Sequence, residues 1–88
     1  MKIYKYSLGA DPRIKEPLTV LMPETARILR IAEQRSEVCI WAEVDPTAPM
    51  EQRFYILVPT GAEVPSKGLY QTTLFKGPFV WHLYRIMQ

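Results

Sequence analysis

Eight prolines and four glycines cut this chain into short pieces, and a long helix is hard to seat between them. What lies between the breaks alternates in polarity with the period of a β-strand. Val38 to Val44 is the clearest case. Val38, Ile40, Ala42 and Val44 share one face, and Cys39, Trp41 and Glu43 share the other. Ile3 to Leu8, Leu18 to Met22, Arg53 to Val58, Leu69 to Phe75 and Phe79 to Ile86 read the same way. "GADPRIKEP" and "PTGAEVPSKG" are loops of turn-forming residues.

One stretch, "PETARILRIAEQ", also tolerates helix. The segment "RSEVCIWAEV" that follows favours strand, turn and strand around Arg35, Ser36 and Glu37, with a single helical turn allowed at Pro23 to Ala26. The expected fold is all-β: a compact antiparallel sandwich or open barrel of about six to eight short strands.

Eighty-eight residues make one domain, 1–88, with a small core. A hydrophobic content of 48% separates it from disordered tails. No run approaches the roughly 18 apolar residues of a membrane span. The opening "MKIYKYSLGADPR" lacks the apolar core of a signal peptide, so a cytoplasmic location is expected.

Several chemistries find no support in the residues. Neither glycine-bearing loop has the spacing of a phosphate-binding motif. The single cysteine, Cys39, rules out an internal disulfide and a multi-cysteine zinc site. HExxH, HxH and CxxC are absent from the sequence, and neither metal nor cofactor is expected. A Cys39–His82 nucleophilic pair would draw on two strand interiors, so Cys39 reads as a packed small hydrophobe. Asp45, before Pro46, reads as a turn starter. A non-enzymatic protein is the expectation.

The aromatic residues carry the functional question. Two strands, Arg53 to Val58 and Phe79 to Ile86, are apolar on both faces. Such strands are central, or they meet a partner. The surface candidates are Tyr4, Tyr6, Trp41, Tyr55, Trp81, His82, Tyr84 and Arg85. Protein binding, self-association into a homodimer included, asks least of them. Aromatics interleaved with bases, as in Lys2 to Tyr6 and Trp81 to Arg85, allow single-stranded nucleic acid as an alternative. A pocket of Trp41, Tyr55 and His82 for a nucleotide-like ligand is another. A net charge of +2 with scattered basic residues does not favour nucleic acid. His82, the only histidine, is expected to be structural, donating to a backbone carbonyl or to Asp45 or Glu43.

Four stretches, "IYKYSL" at 3–8, "MPETARIL" at 22–29, "CIWAEVDPTAPMEQRFYILVPTG" at 39–61 and "FVWHLY" at 79–84, resemble in order and spacing a family of small uncharacterised bacteriophage and prophage proteins. That resemblance covers nearly the whole chain and implies no activity. It implies a phage-type accessory protein in the host cytoplasm, acting by binding a host component. The loop "GADPRIKEP" is longer than the family pattern.

Overall fold

A computed structural model describes residues 1–10 and 16–87. Among these residues seven strands form: β1 Lys2–Ser7, β2 Leu18–Pro23, β3 Arg27–Gln34, β4 Glu37–Val44, β5 Met50–Pro59, β6 Gly68–Lys76 and β7 Phe79–Ile86. All five ladders are antiparallel. They make a three-stranded sheet, β1-β4-β3, and a four-stranded sheet, β2-β5-β7-β6. The expected all-β sandwich is the observed fold. Most of the loop "GADPRIKEP", residues 11–15, lies outside the described residues.

The centre of the fold is one long hairpin bent in half. β3 and β4 form its tip, and β2 and β5 its base. The tip turns at Arg35 and Ser36, both left-handed with φ of 52° and 66°. Two positive φ values in a two-residue loop are the type I′ geometry that matches strand twist. The arms bend at 24–26 and 45–49. There a tight turn, Ala26 N to Pro23 O at 2.9 Å, replaces the helical turn that the sequence allowed. Glu24 N donates to Pro49 O at 2.8 Å, so the two arms stay joined at the bend. Asp45 shapes the second arm. Its Oδ1 accepts from the backbone N–H and the hydroxyl of Thr47 at 3.0 and 2.7 Å, the turn role its position before Pro46 predicts.

Val20, Met22, Ile31, Val38, Ile40, Ala42, Val44, Tyr55, Leu57, Leu74 and Leu83 fill the space between the sheets. The extents of 38 × 31 × 16 Å are those of two layers; packed sheets lie about 10 Å apart. Beside β6, β3 closes one side of the sandwich, with Lys76 Nζ 3.2 Å from Glu33 Oε2.

One inward residue is charged. Arg53 is 4% exposed. Its Nη1 donates to Ala26 O at 2.8 Å and its Nη2 to Glu24 O at 2.7 Å, while Nε donates to Glu51 Oε1 at 2.8 Å. Arg85 Nη2 reaches the same Glu51 oxygen at 3.2 Å. A buried guanidinium is tolerable only when its donors are matched. Here they hold the carbonyls exposed by the bend. Burial opposes the charge, but bonds to Tyr55 and Glu51 outweigh it and raise the Arg53 pKa above its ordinary value.

Candidate functional site

The two outer faces differ in chemistry. On the three-stranded sheet, ladder neighbours run Ile3–Glu43–Arg27, Lys5–Trp41–Arg30 and Ser7–Cys39–Ala32. Polar contacts cross this face: Arg27 Nη2 lies 3.4 Å from Glu43 Oε1, Lys5 Nζ donates to Gln34 Oε1 at 2.9 Å and Ser7 Oγ donates to Glu37 Oε2 at 2.9 Å. Cys39 is buried in this sheet, whereas His82 belongs to the other one.

The four-stranded sheet turns a different face outward. Tyr55, Leu57 and Leu83 belong to the core, so period-two alternation sends Phe54, Ile56, Val58, Val80, His82, Tyr84 and Ile86 to the outside. β2 adds Thr19 and Leu21, and β6 adds Tyr70, Thr73 and Phe75. Among the described residues, no outward ladder position of this sheet holds Asp, Glu, Lys or Arg. Phe75 is 76% exposed, and Leu21 and Tyr70 are also exposed.

A bulge builds the β6 part of this face. The register slips between Tyr70 and Thr72, leaving Gln71 unpaired. Residues three apart on a regular strand point to opposite faces; one extra residue brings them to the same one. Tyr70 and Thr73 therefore meet, hydroxyl to hydroxyl, at 2.6 Å. Tyr70 also stands edge-on to Tyr84, with ring centroids 5.8 Å apart.

His82 sits at the polar centre of the face. Its Nε2 lies 2.9 Å from Thr60 Oγ1 and its Nδ1 lies 3.1 Å from Thr73 Oγ1. Thr60 Oγ1 also donates to Val80 O at 3.2 Å. The pattern matches an imidazole carrying its proton on Nε2. Thr60 accepts that proton's bond, and Thr73 donates to Nδ1 while accepting from Tyr70. The expected partners, Asp45, Glu43 or a backbone carbonyl, are replaced by these hydroxyls, because His82 points away from the core and from the other sheet.

The 60–67 connection crosses this face. β5 and β6 run parallel on either side of β7, so the chain must pass from beside Trp81 to beside Ile86. Pro65 rests against Gly68 and Tyr84; a Cβ on Gly68 would come within 2.9 Å of Pro65 and 3.1 Å of Tyr84. The connection buries Val58 and leaves a cleft of about 440 Å³ beside it, lined by Ile56, Val58, Pro59, Ala62, Glu63 and Pro65 among others.

The surface candidates from the sequence do not converge. Tyr55 is fully buried in the core, its hydroxyl 3.4 Å from Met22 Sδ. Trp41 lies on the outer face of the three-stranded sheet and His82 on that of the four-stranded one, so Trp41, Tyr55 and His82 form no common pocket. Trp81 and Arg85 point to the inner side, Trp81 against the core and Arg85 toward Glu51. Tyr6 packs against the core; its hydroxyl has no partner among the described residues, and burial, then Tyr4, raises its pKa. Tyr4 is exposed on the edge strand β1. Only His82 and Tyr84 of the eight lie on the uncharged face. The interleaved aromatics of β7 thus divide between two faces, Trp81 turning inward with Arg85 and His82 and Tyr84 turning outward, as period two requires.

Sequence reasoning missed Leu21, Tyr70, Thr73 and Phe75. The two-sided apolar pattern of β5 and β7 was the available signal, and the Gln71 bulge hid the rest. Among the described residues no group of three or more His, Cys, Asp or Glu gathers as for a metal ion. No helix among the described residues is long and apolar enough to cross a membrane.

The sequence matches over residues 1–88 the family model described as Domain of unknown function (DUF7352). No curated protein and no solved structure matches it.

Proposed function

Because the chain belongs to that family along residues 1–88 and the family carries no assigned activity, we propose a function from the geometry: this is a protein-binding module. Its docking surface is the outer face of the four-stranded sheet. The supporting observation is the absence of charge from the outward ladder positions of four adjacent strands, next to exposed Phe75, Tyr70 and Leu21. A solvated sheet face is ordinarily polar, and a contiguous apolar one marks an interaction surface. The protein has no catalytic role in this reading. The His82 hydroxyl chain orders the face and gives a partner a few polar anchors among apolar ones.

Resemblance to small phage and prophage proteins fits an accessory role in a host cytoplasm, carried out by association with a protein partner. Nucleic acid is the weaker reading, since the uncharged face offers nothing to phosphates. Affinity purification with tagged wild type and tagged Phe75→Asp tests the module. A protein retained by wild type and lost from the variant is the expected result. The same set of proteins on both would overturn it.

A further inference from the structure

We infer that the uncharged face packs against the same face of a second copy of this chain, related by a two-fold axis. The inference rests on the docking-surface reading above and names its partner.

Three observations carry it. The first is charge. The ladder positions of the face carry no formal charge, and Glu63 on the crossing connection is the one charged side chain lining its cleft. A two-fold register that keeps the two Glu63 side chains apart therefore brings no like charges together, whereas a charged partner surface would lose its solvation there unpaired. The opposite face of this same protein, with Lys5, Arg27, Arg30 and Glu43, is such a poor counterpart. Contact is therefore face to like face, not head to tail.

The second is shape. A self-complementary surface needs both a knob and a hole, and this one has them. The cleft of about 440 Å³ beside Ile56 and Val58 is lined mostly by apolar residues, with Glu63 the one charged side chain. Leu21, Tyr70 and Phe75 project from the sheet, and Val64 is exposed on the crossing connection. A two-fold operation uses each knob–hole contact twice.

The third is the edge alternative. β1 is the outermost strand of its sheet, but it carries Lys2 and Lys5, which blunt edge-to-edge pairing. Continuation of that sheet through β1 is thus opposed by its own residues.

Area sets the strength. Four strands about 4.8 Å apart, each contributing about six residues at roughly 3.3 Å, give a footprint near 400 Å² per copy. Two copies give about 800 Å² in total, below the roughly 1,200 Å² at which stable specific interfaces begin, so the dimer is weak and transient, with a Kd on the order of 10–100 μM.

Sedimentation equilibrium from about 1 to 200 μM is the test. Wild type is expected to pass from a 10.2 kDa species toward twice that mass as concentration rises. Phe75→Asp, with an unchanged circular dichroism spectrum, is expected to move the midpoint up by about tenfold or more, the size of one lost apolar contact. Ile3→Asp is the control: Ile3 is equally open, 63% exposed, but lies on the other sheet, so it leaves the midpoint where it was. A 10.2 kDa species at every concentration overturns the inference, as does a dimer lost in Ile3→Asp but kept in Phe75→Asp. Native mass spectrometry showing a monomer with a small molecule attached would give the cleft to that molecule and also overturn it. A monomeric wild type that still retains a foreign protein through Phe75 would sink the second copy and leave the docking surface standing.

Discussion

Arg53 Nη1 donates to the carbonyl oxygen of Ala26 at 2.8 Å, a bond between residues 27 apart in the chain that locks the fold of the long hairpin. Replacing Arg53 by Met keeps the volume and removes the donors. Two carbonyls at the bend, of Glu24 and Ala26, then lose their partners, and Glu51 loses a close cation. The expected cost is about 2–4 kcal/mol, the range for stripping partners from buried polar groups. Urea unfolding measures it, with a lowered midpoint at constant slope as the expected outcome.

The tip of the hairpin moves in the other direction. Arg35 and Ser36 hold left-handed conformations that cost ordinary side chains energy. The double substitution Arg35→Asn, Ser36→Gly supplies the residues that a type I′ turn prefers. It is expected to stabilise the protein by about 1 kcal/mol, read as a rise in Tm of several degrees.

Gly68→Ala tests how the crossing connection is seated. The new methyl meets Pro65 and Tyr84 inside contact distance, and part of that obstacle is the Pro65 carbonyl. Gly68 N donates to this same oxygen at 3.0 Å. A loss of about 1–3 kcal/mol is expected, as for other overpacked sites. Faster amide exchange in 60–67 than in β4 would place the damage in the connection.

At His82 the two threonine bonds are partly open to solvent. His82→Gln keeps at most one of them. A cost of about 0.5–1.5 kcal/mol follows from the usual net worth of such bonds. Thermal unfolding of the variant alongside Thr73→Val checks that the losses are not additive, because both substitutions break the same bond.

Acid should weaken the fold through Glu51 and Asp45. The Arg53 bond holds Glu51 below its ordinary 4.5, and the Thr47 hydroxyl holds Asp45 below 3.8. A carboxyl depressed in the folded state stabilises fully above its unfolded pKa and loses that contribution as pH falls through its folded value. The urea midpoint should therefore be flat above about pH 5 and decline below about pH 4. Glu51→Gln is expected to lower the midpoint at neutral pH and to shrink the acid decline.

Alternation along Val38 to Val44, the turn around Arg35 and Ser36, and the proline and glycine breaks were enough to read an all-β chain and most of its strands, because period two and turn chemistry are local properties. The candidate face was half legible: β5 and β7 looked apolar on both sides, which is what a central strand with an apolar outer surface must look like. Which side was outside depended on pairing. Arg53 sits on the inner side because the bend leaves two carbonyls there to receive it, and no local signal marks a charge as buried. Tyr70 and Thr73 share a face only because Gln71 bulges, and a bulge exists only against a partner strand. Trp41, Tyr55 and His82 look equivalent as strand aromatics, yet they ended on three different surfaces. The sequence by itself determined the period of each strand. Only the tertiary structure decided which phase of that period met the core, because burial is a property of the two sheets together.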